Sequence, residues 1–413
     1  MKFRDIKISN WKQFETIEID FHSNLTILTG ANGSGKTTIL NLLAQHFDWH
    51  VHQLATPAMD EATGFFKFFP RQFTSQMTIT SNQIGSISYS NNTSVALQIT
   101  GNGDTWAHYQ IPIIKPAGLR GLNVPSHRQI FNYQQIPNIG TQKISRLQAF
   151  QNSNNSRFNK LYSEGSNKNL NYYIKETLIN WAIGGSGNEF IQPDGELRNN
   201  FINFENILKK ILPKPLEFHG ISIRNFEIVL VTGTGDFLID AVSGGISSII
   251  DLGWSIFTRT ENDSDTIVVL IDEIENHLHP SMQRSILPSL VEAFPNVQFI
   301  VSTHSPLVIG SVRDSNVFAF RHNKNKKVYN EKLDLINRAK SANEVLNEVL
   351  GVPFTMPLWV ETSLTSIIDK YTYTDINPDI FKKMREELKD LGLENLMPLA
   401  MEKTIESIDD KNK

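Results

Sequence analysis

The amino-acid sequence predicts an α/β protein whose central sheet carries phosphate-binding turns at one edge. A glycine-rich segment follows the apolar run 25–28 and precedes a helical pattern over 37–47. A second apolar run, 266–271, ends in two adjacent carboxylates, and a third, 297–301, leads to a histidine. Because ligands of α/β proteins bind at the carboxyl ends of the strands, we expect these segments to share one site.

The glycine-rich segment matches the pattern G-x-x-x-x-G-K-[ST] without deviation. Its residues are Gly30, Ala31, Asn32, Gly33, Ser34, Gly35, Lys36, Thr37 and Thr38. Glycines let successive backbone N–H groups wrap phosphate oxygens at the positive end of the next helix. The pattern predicts that Lys36 reaches the β- and γ-phosphates and that Thr37 binds Mg²⁺. The alternative is a glycine-rich turn without a ligand, which the order strand, loop, helix disfavours.

The carboxylate pair after the second apolar run predicts the hydrolytic part of the site. Asp272 is placed to hold the metal shell, and Glu273 to polarise an attacking water. A pair that only caps the following helix is the alternative. His304, after the third run, is predicted to contact the γ-phosphate and to report its loss. A lone histidine at a strand end otherwise has a structural role.

A second phosphate-binding helix start is predicted at Ser243-Gly244-Gly245, which precedes a helical stretch over 246–257. Its serine and free N–H groups would lie at the positively polarised end of that helix. Serine and glycine are also ordinary turn residues. The position of the segment just before the Asp-Glu strand favours the phosphate-binding interpretation.

In this order the segments resemble the Walker A, signature, Walker B and switch-histidine motifs of the ABC-type ATPase heads of the SMC, RecF and OLD (overcoming lysogenisation defect) group. The run 272–280, D-E-I-E-N-H-L-H-P, is similar to a run found in OLD-like proteins and in stand-alone AAA-type ATPase subunits of bacterial anti-phage systems, such as the Septu or PARIS type. The resemblance implies a P-loop ABC-type head, ATP and Mg²⁺ as ligands, and a homodimer or larger even assembly. It also implies that Ser243, Gly244 and Gly245 contact the ATP held by another copy.

Several features depart from the pattern or leave it open. The signature lacks the glutamine that transporter subunits usually carry after the glycines, which argues against a transporter. The candidates for the glutamine loop are Gln129, Gln134 and Gln135, with Arg128 as a candidate phosphate contact. The candidates for stacking on the base are Phe14, Trp11 and Arg4, each equally compatible with a core or surface position.

Composition excludes several function classes. The 413 residues include no cysteine, so disulfides, thiolate metal sites and cysteine catalysis are excluded. The spacing of His277 and His279 does not place two metal ligands on one helix face. No apolar run approaches the length of a membrane span, and the first residues carry no apolar signal core. We therefore expect a cytoplasmic protein without membrane contact.

The charge is unevenly distributed along the chain. The net charge is only -4, but residues 111–175 contain nine basic residues and one acidic residue, Glu164. The basic residues are Lys115, Arg120, Arg128, Lys143, Arg146, Arg157, Lys160, Lys168 and Lys175. Interleaved aromatic residues make nucleic-acid binding one hypothesis for this region. A solvated insertion whose charges favour a nucleotide or an acidic partner is the other.

These landmarks predict four segments. Residues 1–110 form the N-terminal part of the ATPase head with an antiparallel β subdomain, and 111–213 an inserted, basic, partly helical α/β lobe. Residues 214–330 form the C-terminal part of the head, and 331–413 a helical docking segment. Within them we expect a loop over 151–171, helices over 172–183 and 197–212, and strands over 216–239. The segment 358–363 faintly resembles the opening strand of a Toprim nuclease domain, but the helical patterns that follow it favour docking.

The function predicted from these features is an ATP-hydrolysing, dimeric conformational switch that controls a separately encoded effector, a nuclease or a toxin, in prokaryotic defence. A RecF-like DNA-binding repair ATPase is one alternative, and salt-dependent DNA binding would favour it. An ATP-binding scaffold is another, and tight nucleotide binding with little turnover would favour it.

Overall fold

A computed structural model of the chain divides into two compact units, residues 1–345 and 346–413. The structure describes residues 1–60, 63–69, 83–100, 107–162, 168–262, 264–334, 358–372 and 378–409. None of the helices in these ranges is long and apolar enough to cross a membrane.

The first unit combines strands and helices throughout its length. Its strands are β1 (Phe3–Trp11), β2 (Phe14–Asp20), β3 (Leu25–Gly30), β4 (Gln53–Leu54), β5 (Thr56–Met59), β6 (Phe66–Phe69), β7 (Gln83–Tyr89), β8 (Ser94–Gln98), β9 (His108–Tyr109), β10 (Gly121–Val124), β11 (Phe218–Arg224), β12 (Glu227–Thr232), β13 (Phe237–Leu238), β14 (Val268–Ile271), β15 (Gln298–Thr303), β16 (Asn316–His322) and β17 (Val328–Lys332). Its helices are α1 (Lys36–Ala44), α2 (Arg146–Tyr162), α3 (Leu170–Ser186), α4 (Gly195–Ile211), α5 (Gly244–Arg259), α6 (Pro280–Ala293) and α7 (Pro306–Ile309). Short 3-10 turns cover Gln45–Phe47, Lys214–Leu216 and Ile239–Ala241.

A ten-stranded sheet organises this unit, in the order β10-β14-β15-β3-β16-β17-β2-β1-β7-β8. The strands from β10 to β16 in that order are parallel. Every residue of β3, β14 and β15 is buried, which explains why these strands are continuous apolar runs. The antiparallel strands alternate instead: in β1, Ile6 and Ile8 are buried and Lys7 between them is exposed.

A helical lobe formed by α2, α3 and α4 packs around α5 through an aromatic cluster. The rings of Phe204 and Trp254 lie edge to face with centroids 4.9 Å apart, and Trp181 lies 5.4 Å from Trp254. Phe257 completes the cluster at 5.6 Å from Phe204. The indole N–H of Trp254 donates to Ser153 Oγ at 2.9 Å, so its buried polar atom is paired.

Two buried ion pairs connect this lobe to the chain around α5. Lys175 of α3 is fully buried and pairs with Asp240, in the 3-10 turn just before α5. Arg157 of α2 pairs with Asp251 and donates to Ser255 Oγ at 2.6 Å, both within α5. Buried charges are tolerated only when they are paired in this way, so the pairs constrain how the lobe meets α5.

The described residues of the second unit, 358–372 and 378–409, are mostly helical. This unit contains α8 (Leu358–Thr372), α9 (Pro378–Asp390), a 3-10 turn over Glu394–Leu396, and α10 (Met397–Asp409). Its core brings together Leu364, Met384, Leu388 and Ala400, all fully buried. The segment that resembles the Toprim strand therefore lies in a helix.

The α/β class, the antiparallel strands and the helical C-terminal segment agree with the prediction. The loop predicted over 151–171 was wrong for residues 151–162, which belong to α2, while residues 163–167 lie outside the described residues. Asparagine and serine lower helix propensity, but Ser153 and Ser156 are buried against α3 and α5 and form hydrogen bonds there, so tertiary packing overrides propensity. In the structure β10, within the predicted lobe, belongs to the main sheet beside β14.

Phe204→Ala tests the packing of the lobe. It should lower the free energy of unfolding by about 3–5 kcal/mol, because the deleted ring leaves a cavity between two aromatic neighbours. Chemical denaturation followed by circular dichroism measures this change. Phe190→Ala is the matched control, since Phe190 is 90% exposed and its removal should change stability by less than about 0.5 kcal/mol. Equal effects of the two substitutions would contradict the packing described here.

Candidate functional site

Three loops of the predicted site meet at the carboxyl edge of the parallel strands. The strands β14, β15 and β3 are direct neighbours, with β15 in the middle. The segment 30–38 follows β3, Asp272 and Glu273 follow β14, and His304 follows β15. The sheet therefore brings together the segments that the sequence separates by more than 200 residues.

The glycines of the first loop are required by backbone geometry and packing. Gly30, Gly33 and Gly35 have positive φ angles of 136°, 76° and 97°. A Cβ atom at Gly35 would lie 2.4 Å from Cζ of Phe14, and one at Gly30 would lie 2.5 Å from the carbonyl oxygen of Phe320. The loop is thus pressed against β2 and β16, and its shape suits a phosphate cradle.

Lys36 lies within this loop and is buried. Its Nζ donates to the carbonyl oxygens of Gly30 at 2.9 Å and Ala31 at 3.1 Å. Burial lowers the pKa of Lys36 to about 8, although the charges of Asp272, Glu273 and Glu275 raise it. An ammonium group whose charge is penalised by burial gains from a further anion nearby, so the site fits a phosphate group.

The Asp272 carboxylate links the first loop to β15. Thr37 Oγ1 lies 3.1 and 3.0 Å from its two oxygens, and Ser302 Oγ donates to Oδ1 at 2.5 Å. Hard oxygen donors of this kind suit Mg²⁺, which keeps few protein ligands and binds substrate phosphates as well. The chemistry of Thr37 and Asp272 therefore fits the predicted metal.

Glu273 adopts a strained conformation that several hydrogen bonds maintain. Its φ angle is +45°, in a region that non-glycine residues rarely occupy and that costs about 1–2 kcal/mol. Its N–H donates to Ser302 Oγ at 2.8 Å, and Asn276 Nδ2 donates to its carboxylate at 2.7 Å. Strain of this kind concentrates at functional sites. The carboxylate is half-buried beside the first loop, where it can contact a water.

Glu275 connects the Asp-Glu loop to the loop that carries His304. Its carboxylate accepts from Thr303 Oγ1 at 2.7 Å and from the backbone N–H of His304 at 2.5 Å. Burial, followed by the charge of Lys36, lowers the pKa of His304 below its ordinary value of 6.5, which keeps the imidazole neutral at pH 7. Sequence reasoning assigned no role to Glu275, although its place in the D-E-x-E run was the available signal.

Arg128 does not face the first loop, so the predicted phosphate contact was wrong. Its guanidinium is buried and donates to backbone carbonyls of the segment that begins at Asp272. The glutamine candidates do not reach the site either. Gln129 and Gln134 accept from the backbone N–H groups of Leu170 and Asn169 at the start of α3, and Gln135 is exposed.

Two of the three base-stacking candidates belong to the core. Trp11 and Phe14 are fully buried, and the indole N–H of Trp11 donates to the Tyr109 hydroxyl at 2.9 Å. Arg4 is exposed and is paired with Asp5 at 2.9 Å. The two rings lie on β1 and β2 and pack against each other, and Phe14 also lies against Gly35 of the first loop.

Ser243 is an exposed helix cap. Its Oγ accepts from the N–H of Ile246 at 3.4 Å at the start of α5. A Cβ atom at Gly244 would meet open space, whereas one at Gly245 would lie 2.9 Å from the carbonyl oxygen of His277. Gly245 is thus needed for packing inside the chain, while Ser243 and Gly244 face outward.

The basic residues of 111–175 do not form a free positive surface in the described part of the chain. Lys115 pairs with Asp48, Arg120 with Glu261 and Asp265, Lys143 with Asp194 and Glu196, Arg157 with Asp251, Lys168 with Glu176, and Lys175 with Glu227 and Asp240. Arg128 and Arg146 donate to backbone and side-chain oxygens, and the side chain of Lys160 lies outside the described residues. All of these acidic partners lie outside residues 111–175, so the charge counted over 111–175 overstates the surface charge. The charge count alone therefore does not support nucleic-acid binding by this region.

Two protein-family models match the chain. The family described as "AAA domain, putative AbiEii toxin, Type IV TA system" matches residues 118–310, and the family described as "AAA ATPase domain" matches residues 1–182. Their residues include both the glycine-rich loop and the Asp-Glu strand. The chain is therefore similar to AAA-type ATPase domains over both parts of the candidate site.

Similar proteins refine this assignment. The chain is 31% identical over 158 residues to the Septu protein PtuA of Bacillus mycoides (strain KBAB4), a match that covers 37% of this chain and 22% of the relative. It is 24% identical over 396 residues to the Retron Ec83 probable ATPase of Escherichia coli, covering 78% of this chain and 72% of that protein. The SMC head domain from Thermotoga maritima matches 81% of this chain and 100% of its own, at 14% identity and a TM-score of 0.44. The chain is thus similar to a Septu protein and to a retron probable ATPase, and the match spans less than a quarter of the length of that Septu protein.

Proposed function

We propose that this protein binds and hydrolyses ATP as a dimeric switch that controls a separate effector, a nuclease or a toxin, in a prokaryotic defence system. The observation that carries the proposal is the hydrogen-bonded network in which Asp272 joins Thr37 and Ser302 while Ser302 also holds Glu273. The closeness of the residues predicted to bind the metal and the water supports phosphoryl transfer, which depends mainly on positioning and charge stabilisation.

We assign a separate role in ATP hydrolysis to each residue of the site. Lys36 and the N–H groups of its loop would bind the phosphates, and Thr37 and Asp272 would hold Mg²⁺. When bound, Mg²⁺ neutralises charge on the phosphate oxygens. Glu273 accepts a hydrogen bond from the water whose oxygen attacks the γ-phosphorus, and the bond to the β-γ bridging oxygen breaks as ADP leaves. His304, neutral at pH 7, contacts the γ-phosphate and senses its loss.

The exposed cap of α5 supports a site shared between two copies. Ser243 and Gly244 face outward at a positively polarised helix start, and their hydrogen bonds remain within their own helix. A phosphate held by a second copy would complete this helix end. ATP then closes two copies, and hydrolysis separates them, so the exposed surface differs between the two states.

The relation to Septu and retron ATPases supports the role in defence and a partner encoded elsewhere. A RecF-like DNA-binding role loses support because the described basic residues of 111–175 are engaged within the chain. The second alternative is a scaffold that binds ATP with little turnover. Measuring phosphate release by the wild type distinguishes it from the proposed switch.

Glu273→Gln should retain ATP and lose most hydrolysis, by at least about 100-fold, because the phosphate and metal contacts remain while the water loses its base. Lys36→Ala should instead weaken nucleotide binding itself. Nucleotide affinity and phosphate release, measured for both variants and the wild type, separate the two effects. Wild-type turnover in Glu273→Gln would overturn the assignment, and a wild type that binds ATP without turnover would identify a scaffold.

ATP binding should weaken as the pH rises through about 8. Below that pH Lys36 is already protonated, whereas above it the free protein loses the proton and ATP must restore it, since phosphate charge raises the pKa of Lys36. Titration calorimetry at pH 9 in buffers of different ionisation enthalpy should therefore detect proton uptake. The control is Lys36→Arg, whose charge persists at this pH and whose affinity should not change between pH 7 and 9. Proton-independent wild-type binding at pH 9 would contradict the buried state of Lys36.

The shared site is tested by mixing two inactive variants. Ser243→Arg should leave the fold and ATP binding intact but obstruct closure and hydrolysis through its bulk and charge. A heterodimer of Lys36→Ala with Ser243→Arg carries both lesions in one composite site and keeps the other intact, so the mixture should regain part of the ATPase rate.

Subunit exchange is shown separately by co-purifying differently tagged copies. Complementation also requires that one intact site can turn over alone. Full activity of Ser243→Arg at concentrations where the protein is monomeric would exclude the shared site and leave Ser243 as a helix cap.

A further inference from the structure

A single buried side chain, Arg128, contacts both the Asp-Glu loop and the helix α5. It follows β10, next to β14 in the sheet, and only 7% of its surface is exposed. Its Nη2 donates to the carbonyl oxygens of Asp272 at 3.3 Å and Glu273 at 3.0 Å. Its Nη1 donates to those of Ile274 and Asn276, both at 3.2 Å. The loop thus wraps around one guanidinium.

Only arginine can make this set of contacts. The planar guanidinium of arginine presents N–H donors in several directions, whereas a lysine ammonium is a compact point charge. Four carbonyl oxygens of one turn, 272–276, point at the same group, and the strained Glu273 lies among them. The guanidinium therefore supplies donors to a backbone conformation that the sequence does not favour by itself.

The same guanidinium also contacts the helix that carries the exposed cap. Nη1 donates to Ser248 Oγ, buried in α5, at 2.9 Å. A second contact joins the same two parts, because Gly245 leaves room for the carbonyl oxygen of His277 at the end of the loop. Two contacts therefore join the Asp-Glu loop, which carries Glu273, to α5, whose Ser243 end is predicted to contact the ATP of a second copy.

We propose that Arg128 is a positioning residue that holds the Glu273 loop and the helix following Ser243 as one mechanical unit. The proposal rests on the proposed ATPase function and adds a coupling between two sites. The Ser243 end of α5 reaches the ATP of a second copy, so closure of that contact is transmitted through Arg128 to the orientation of Glu273 in the chain's own site. Each copy would then hydrolyse its ATP only after docking.

Arg128→Lys separates the positioning of Glu273 from ATP binding, because it keeps the positive charge and removes the planar guanidinium. Affinity for ATP should stay within about 3-fold of the wild type, since Lys36, Thr37 and the Asp272 side chain do not bind Arg128. The kcat should fall by about 10–100-fold, because small displacements of a reacting group are costly. Arg146→Lys is the matched control. Arg146 is also buried and binds Asn200 and the carbonyl of Thr260, away from the loop, so its substitution should lower thermal stability without this split between kcat and affinity.

Hydrogen exchange in the nucleotide-free protein provides a readout that does not depend on turnover. The N–H groups of Glu273, Ile274 and Asn276 are hydrogen-bonded within the site, at 2.8, 3.1 and 3.0 Å. In Arg128→Lys these amides should exchange faster, while those of β3 and α1 should be unchanged. Arg146→Lys should leave the loop amides protected. Unchanged exchange and unchanged kcat in Arg128→Lys would overturn the proposal.

Ser248→Ala tests the link to the helix. It removes one acceptor of Arg128 and leaves the carbonyl contacts in place, so kcat should fall by a few fold at unchanged ATP affinity. In the double variant with Arg128→Lys, the two reductions in kcat should not multiply, because both act through the contact between Arg128 and Ser248. Independent, multiplicative losses would show that the loop and the helix act separately.

The two proposals fail in different ways. A wild type without ATPase activity, or full turnover in Glu273→Gln, would refute the proposed function. Hydrogen exchange would still decide whether Arg128 holds the loop. Normal kcat and loop protection in Arg128→Lys, beside a wild type that hydrolyses ATP, would refute the positioning role alone.

Discussion

The Asp272 carboxylate is the interaction on which the rest of the candidate site depends. It follows β14, yet its hydrogen-bond partners come from α1 through Thr37 and from β15 through Ser302. A buried carboxylate without such partners would be costly, so the three elements must meet in this register. Because Ser302 also accepts from the backbone of Glu273, the register that satisfies Asp272 also places the predicted water ligand.

The balance of buried charges is a second constraint on the candidate site. Lys36 and Arg128 are both buried close to the carboxylates of Asp272, Glu273 and Glu275, so positive and negative groups lie together with little water. The lowered pKa of Lys36 shows that these carboxylates only partly offset its burial. A bound phosphate would add the missing negative charge, which gives the site a physical preference for an anionic ligand.

The backbone of the Asp-Glu loop departs from ordinary conformations where the chemistry is expected. Glu273 and His277 both have positive φ angles, of 45° and 67°, and neither is glycine. The Glu273 N–H donates to Ser302, and Asn276 and Arg128 donate to oxygens of Glu273, so hydrogen bonds stabilise this conformation. Local preference is overridden here by tertiary contacts, as happens at functional sites.

The sequence by itself determined the α/β class, the glycine-rich loop before α1, the carboxylates after β14 and the similarity to AAA-type ATPase domains. These features are local. Glycine spacing, apolar runs and adjacent carboxylates can be recognised in the sequence because each involves residues only a few positions apart. The tertiary structure alone decided the contacts of Arg128, the link from Glu275 to His304, the helical state of 151–162 and the pairing of the basic residues. Each of these depends on contacts between distant segments, such as Arg157 with Asp251. A charge or a propensity counted along the chain cannot show which groups folding will bring within hydrogen-bonding distance.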